Sequence, residues 1–219
     1  MVTATQKWSR AYRSDVARLG LARHLTSSRS KVFMAIDVEW DETDPSNILE
    51  IGIAVLDLRQ GRLHPNRFPP STWSIRPRHL IITDHREIHN SKYVQSNKFG
   101  FKFGRSYNTR EARAVQVMQS MLDRYANDEI VLVGHLCRND LSRLDELGIQ
   151  LPEGIQVFDT ADLERAFMGR VNGQKVSLQR MCEELEVAYY GQDKLHNAGN
   201  DAFFTMASFA EMCCVSGQH

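Results

Sequence analysis

Asp37-Val38-Glu39 near the start of the chain and His196-Asn197-Ala198-Gly199-Asn200-Asp201 near its end hold the residues best suited to chemistry, with Gly134-His135 and Asp140 between them. Side chains alternate across a strand, so Asp37 and Glu39 project to one side, two residues apart. Two such carboxylates repel each other unless a cation shares them. Hard oxygen ligands of this kind suit magnesium or manganese. His196 and Asp201 lie about 140° apart on an ideal helix and would share no face within one. The Gly199 break instead sets His196 on a loop and Asp201 in the first turn of the following helix, where both can face one centre.

Four carboxylates and one imidazole match the needs of two-metal phosphodiester hydrolysis, with two ions about 3.5–4 Å apart. His196, with a pKa near neutrality, is the candidate base that takes a proton from water. Each segment alone has a plainer explanation. D-x-E begins an exposed loop through Trp40-Asp41-Glu42, and Asp140 and Asp201 cap helices. Their joint occurrence and order are what link them.

The elements that must position these residues follow from periodicity. Lys31 to Asp37 is an apolar run of buried-strand length that ends on an acid. Ile48 to Leu58 reads as a second strand after an Asp44-Pro45-Ser46-Asn47 turn. Trp73 to Ile75 reads as a third, giving an antiparallel meander. Residues 77 to 108 read as irregular with His79, His85 and His89, except that Phe99, Phe101 and Phe103 alternate as a short strand with one aromatic face turned to the core. His85 and His89 lack the HExxH zinc pattern and belong to a loop. Thr109 is a candidate N-cap for a helix with Ala112, Val115, Met118, Met121 and Leu122 on its inner face. Ile130 to Gly134 is a buried strand. A helix at Asp140 to Leu147, closed by Gly148, comes next, followed by a strand at Val157-Phe158 and helices at Asp162 to Met168, Leu178 to Leu185 and Asn200 to Met212. Strands first, then alternating strands and helices, indicate an α/β domain with a mixed sheet flanked by helices.

At 219 residues the chain suits one domain, expected at 31–213, with residues 1–30 as a basic arm or docked helix and 214–219 as a tail. Lys and Arg number 27, as do Asp and Glu. The first 31 residues, however, hold seven basic residues against Asp15 alone, a net of +6 that leaves the remainder at −6. A basic arm on an acidic domain suits a polyanion. The same arm also fits an amphipathic helix through Trp8, Tyr12, Val16 and Leu19, or a mitochondrial transit peptide. Cys137, Cys182, Cys213 and Cys214 show neither disulfide nor zinc spacing, so an intracellular location, cytoplasmic or nuclear, is expected. No run approaches the length of a membrane span.

Asp37-x-Glu39, Gly134-His135-x4-Asp140 and His196-x-Ala198-x2-Asp201-Ala202 resemble the three motifs of the DEDDh branch of 3′-to-5′ exonucleases. Glu50-Ile51-Gly52, Asp159-Thr160 and Ser177-Leu178 match in the same order, over about residues 31 to 212. Leu195 to Ala202 and Phe101-Lys102-Phe103-Gly104-Arg105-Ser106 further resemble a fungal group that includes the QIP exonuclease of RNA silencing and a relative linked to mRNA export. The resemblance implies an RNase H-like fold with a mixed five-stranded sheet. It also implies Asp37, Glu39, Asp140 and Asp201 as ligands of two Mg2+ or Mn2+ ions and His196 as general base. The expected activity is release of nucleoside 5′-monophosphates from single-stranded nucleic acid, RNA being favoured. Trp40, His135, Lys102 and Arg105 are the candidate substrate contacts, with Lys98 a further one to phosphate. The rival expectation is an inactive module of the same fold that binds nucleic acid or protein; an endonuclease of that fold is a third.

Overall fold

The computed structural model describes residues 4–59, 75–93, 95–125, 129–171, 173–187 and 190–214. Its elements run α1 (Ala4–Ser28), β1 (Val32–Trp40), β2 (Ile48–Asp57), β3 (Ile75–Ile82), β4 (Ser106–Thr109), α2 (Glu111–Arg124), β5 (Ile130–Gly134), α3 (Arg138–Glu146), β6 (Gln156–Asp159), α4 (Thr160–Phe167), α5 (Leu178–Glu184) and α6 (Ala198–Cys214). Six strands form one sheet in the order β4-β3-β2-β1-β5-β6. β1, β2 and β3 are an antiparallel meander, while β4, β5 and β6 join in parallel. Helices cover both faces, as expected, but the sheet has six strands rather than five.

Period-two patterning divides the core. Phe33, Ala35, Ala54, Leu56, Val131 and Val133 face α1, α4, α5 and α6, whereas Met34, Ile36, Ile51, Ile53 and Leu132 face α2 and α3. By the same alternation Asp37 and Glu39 leave β1 on the α6 side. Helix α6 lies across β1, β2, β3 and β5 and also packs on α1, α4 and α5. It is buried almost all round, which explains why its apolar residues occupy more than one face.

Close approach of α6 to the sheet depends on glycine. A Cβ on Gly52 of β2 would lie 1.8 Å from the Ala198 carbonyl oxygen. One on Gly199 would meet the His79 Cβ at 2.6 Å and the Phe101 ring at 2.8 Å. The first turn of α6, which carries Asp201, can therefore rest on β2 and β3.

Several sequence expectations are corrected. The third strand is Ile75–Ile82, further along than expected, and Trp73 of the expected strand lies outside the described residues. Pro77 hid it, since proline interrupts a ladder. β4 pairs only from His79 onward, so Pro77 lies where β3 is an open edge. Phe99 to Phe103 is not a strand. Phe103 stacks on Phe203 with ring centroids 3.7 Å apart, Phe101 leans on His79, and Phe99 is exposed. The backbone there is held by a side chain instead, with Lys102 N donating to Asn200 Oδ1 (3.0 Å) and Asn200 Nδ2 donating to the Gly100 carbonyl (3.0 Å). Thr109 ends β4, and Arg110 precedes α2 without a side-chain cap.

Helix α1 packs on α4 and α6. Its buried stripe is Asp15, Leu19, Ala22 and Thr26, and Val16 points outward. Arg165 of α4 donates from Nε to Asp15 Oδ2 at 2.7 Å in a nearly buried pair. Arg18 donates to the Val157 carbonyl and lies over Phe158. Arg23 donates to the Met212 carbonyl and lies over Phe167. At least Arg18 and Arg23 of the N-terminal basic residues are thus engaged by the domain itself.

Gly52→Ala tests the contact between α6 and the sheet. Overpacking of this kind costs about 1–3 kcal/mol, so the urea midpoint should fall. An unchanged midpoint would show that α6 does not approach β2 this closely.

Candidate metal and nuclease site

Three of the four acids meet. Ligand oxygens of Asp37, Glu39 and Asp201 all lie within 4.8 Å of one another. The first two reach the centre from adjacent same-face positions of β1, and Asp201 from the first turn of α6. Asp140 stands beside them in the first turn of α3, outside that cluster. Its Oδ1 accepts the Val38 backbone N–H at 2.9 Å, which anchors α3 to the strand between the two β1 acids.

The electrostatics are those of an anionic site short of cations. Burial first, then the charges of Asp201, Asp140, Glu39 and Glu50, pushes the Asp37 carboxyl far above the usual carboxylate range. Burial and the Glu39 charge do the same to Asp201. Glu39 is pushed up to about 8, by burial and then by Glu50 and Asp140. Asp140 rises to about 6 by burial, opposed by its bond from Val38. Like charges this close cannot all ionise unless a cation offsets them. Asp37 Oδ2 and Asp201 Oδ1 are buried and lack any hydrogen-bond partner. Unpaired buried acceptors are costly, and hard oxygens left open toward a common centre fit a divalent cation.

His196 lies on the loop before α6, in the left-handed region at φ 61°. Its N–H donates to Asp201 Oδ2 (3.0 Å) and its carbonyl accepts from Asn97 N (2.8 Å), so backbone bonds on both sides fix its place relative to the acid. The imidazole is exposed, while partial desolvation holds its pKa below the usual histidine value. With Glu39, Trp40, Glu42, Asn90, Tyr93 and Ser96 it lines a cleft of about 210 Å³. Asn90 Nδ2 donates to the Trp40 carbonyl (2.7 Å), and the Glu42 carboxylate accepts N–H bonds from Ser91, Lys92 and Tyr93. These bonds hold the exposed Tyr93 at the cleft.

The other expected contacts fall in different places. Trp40 is half-buried, with the Arg143 guanidinium 5.4 Å from its ring centroid. His135 uses both ring nitrogens internally: Nε2 donates to the Val176 carbonyl and Nδ1 bonds Thr160 Oγ1, each at 3.0 Å. Lys102 and Arg105 are exposed on the approach to β4. Lys98, expected to reach phosphate, is buried; its ammonium donates to the carbonyls of Ile88 (2.6 Å), Arg86 (3.2 Å) and His85 (3.5 Å).

A polar network under the site had no assigned role in the sequence. Glu50, buried on β2, pairs with Glu39 in strand register, and its Oε2 accepts from His79 Nε2 (2.8 Å), Asn197 Nδ2 (3.3 Å) and Ala198 N (3.3 Å). His79 Nδ1 in turn bonds Ser106 Oγ at 2.8 Å. Asn197 Nδ2 also donates to the carbonyls of Asn97 and Lys98, and its Oδ1 accepts Asn200 N. The signal was legible: an acid inside Ile48-Leu49-Glu50-Ile51 must find donors when buried.

The sequence profile of the family described as DEDDh_C, "DNA polymerase III subunit epsilon-like, C-terminal domain", matches residues 32–212. The chain belongs to the DEDDh family. That membership carries the RNase H-like fold, and nucleases of this family generally use divalent metal ions. The chain is 27% identical to "Good for full DBP5 activity protein 2" of Saccharomyces cerevisiae, covering 93% of this chain and 39% of that protein. It is 26% identical to "Uncharacterized nucleolar protein C2C4.08" of Schizosaccharomyces pombe, covering 88% of this chain and 73% of that one. The DEDDh chain thus spans about two fifths of the length of the first of these relatives. Among solved structures, the RNase domain of the yeast Pop2 protein is similar at TM-score 0.49 and 15% identity, over 90% of this chain and 82% of that one.

Asn197→Ala removes the donor shared by Glu50 and two carbonyls. It should lower unfolding free energy by about 2–4 kcal/mol, read by denaturant titration. A loss below about 0.5 kcal/mol, the scale of an ordinary surface change, would contradict the network.

Proposed function

We propose that this protein is a metal-dependent 3′-to-5′ exonuclease that hydrolyses single-stranded nucleic acid, RNA by preference, to nucleoside 5′-monophosphates. The observation that carries the reading is the convergence of Asp37, Glu39 and Asp201 with two buried oxygens left unpaired, next to a cleft that His196 lines. Residues 31–213 form the exonuclease domain in this reading, with helix α1 (Ala4–Ser28) of the N-terminal segment docked against it. The nucleolar relative favours a nuclear location. Among the described residues no helix is long and apolar enough to cross a membrane.

Asp37, Glu39 and Asp201 would hold Mg2+ or Mn2+, with the free oxygen of Asp140 available from the side for a second ion. Bound there, divalent cations acidify water and offset charge on the phosphate and the leaving oxygen. The chain's own residues do the rest. His196, its pKa held below the usual histidine value by partial desolvation, is suited to accept the proton of the attacking water. The bond from its backbone to Asp201 keeps the imidazole and the acid cluster in one frame. Trp40 and Tyr93 flank the terminal base in the cleft, where stacking is worth about 1–3 kcal/mol per base. Lys102 and Arg105 contact phosphates of the strand leading in. His135 and Lys98 are assigned to the scaffold because their polar atoms bond to the protein itself.

End-labelled single-stranded RNA and DNA incubated with Mg2+ or Mn2+ should shorten from the 3′ end, and EDTA should stop it. Asp37→Ala should bring turnover below detection and also abolish the rise in melting temperature that Mn2+ produces by binding the native state. Unchanged turnover in that variant would reject the assignment. Intact substrate under every metal, with binding retained, would favour the inactive module.

His196→Ala should lower turnover by about a hundredfold or more, as loss of a general base does, with Mn2+ stabilisation and substrate affinity nearly intact. Equal losses in all three measurements would instead make His196 a structural residue.

A further inference from the structure

Four arginines meet on the face of the sheet that the acids do not use. Arg76 and Arg78 occupy alternate positions of β3, in register with Val55 and Ile53, whose side chains belong to the core beneath α2. Arg113 and Arg124 extend from the same face of α2, about three turns apart with Gln116 and Ser120 between them. Together they line a groove of about 240 Å³ between α2 and the strands, and no carboxylate is among the lining residues. All four are exposed.

The nearby acids have other partners, although the Asp57 charge also feels Arg76. Asp57, at the end of β2, accepts from Arg59 through both oxygens at 3.0 Å. Asp123 accepts from Gln119 Nε2 at 2.8 Å, and Glu111 lies 3.9 Å from His85. Among the described residues none of the four arginines forms an ion pair, and the one side-chain bond among them runs from Arg113 Nη1 to Gln116 Oε1 at 3.0 Å. Four like charges in one concavity repel each other until anions enter. Guanidinium groups present forked donors that match phosphate oxygens.

The groove is also connected to the acid site. Lys102 is fastened through its backbone to Asn200, the residue before Asp201. Arg105 immediately precedes β4, the edge strand, and pairing of His79 with Ser106 sets Arg78 and Arg105 one residue back on adjacent chains. Basic residues therefore run from the acids, round the β4 edge, to the arginines on the opposite face.

We propose that this groove is an exosite for the sugar-phosphate backbone of single-stranded nucleic acid, holding the 5′ portion of a strand whose 3′ end lies at the acids. The direction of the strand rests on the exonuclease reading. Three strand spacings of about 4.8 Å and a sheet flank of about 10 Å put the two sites about 24 Å apart, so at a stacked rise of about 3.4 Å per nucleotide an oligonucleotide of about three nucleotides does not reach the groove while one of about thirty does.

The test uses fluorescence anisotropy with labelled oligonucleotides of both lengths, RNA and DNA, in the full chain carrying Asp37→Ala to prevent cleavage. Adding Arg78→Glu and Arg124→Glu should raise the Kd of the long strand about tenfold or more and make its dependence on salt shallower by about one unit of slope or more. With Asp37 intact, the same pair of substitutions should leave hydrolysis of the short oligonucleotide unchanged. A long-strand Kd within twofold of the parent overturns the exosite. So does equal weakening for both lengths, or failure of the parent to bind the long strand. Arg78→Gln with Arg124→Gln serves as the second variant, and thermal melting of both pairs confirms folding. Cleavage of the short oligonucleotide by the unaltered protein reports separately on the exonuclease reading, so the two proposals fail independently.

Discussion

Glu50 is a carboxylate removed from water in the middle of the second strand, and the site depends on how its charge is met. Isolated in an apolar interior it would be strongly destabilising. Here it gathers His79 from the third strand and Asn197 and the Ala198 N–H from the start of the last helix. One side chain thereby ties two strands to the helix that delivers Asp201. Such a network stabilises only if every member finds a partner, and Asn197 and Asn200 complete it by bonding the otherwise irregular chain from Asn97 to Lys102.

The contrast between this network and the acid cluster above it is informative. Beneath the site, buried polar atoms are matched within the chain. In the cluster, one oxygen of Asp37 and one of Asp201 are buried and unmatched, and Glu39 is held to about 8 by burial and surrounding negative charge. A fold that satisfies Glu50 so fully and leaves its neighbours open has its open valences directed at something outside the chain. Rigidity below and unmet charge above are what a preorganised cation site requires.

Charge is also distributed by face. The acids leave β1 toward α6, and the arginines of β3 leave the sheet toward α2. The net charge of zero conceals this separation. The N-terminal basic residues contribute less to an anion-binding surface than their number suggests, because Arg18 and Arg23 turn inward to carbonyls and aromatic rings of the domain.

Much of this was legible in the residues. Alternation placed Asp37 and Glu39 on one face, apolar runs located β1, β2 and β5, and His196 was placed on the loop before the helix that carries Asp201, although that helix starts at Ala198 behind Asn197 and Gly199 lies within it rather than breaking it. These features are local, and a period of two or 3.6 residues is set by backbone geometry alone. Other features could not be read from nearby residues. Lys98 looked like a phosphate ligand and became a buried donor to three carbonyls; His135 looked free and found partners 25 and 41 residues away. Phe99 to Phe103 alternated like a strand but was held instead by Asn200 and by rings of α6. By itself the sequence determined the family, the order of the strands in the meander and the inventory of acids. Tertiary structure alone decided which polar side chains face the cleft and which are consumed by the scaffold, because a buried donor or acceptor is satisfied by whatever the fold brings within about 3 Å, and that partner is usually distant in the chain.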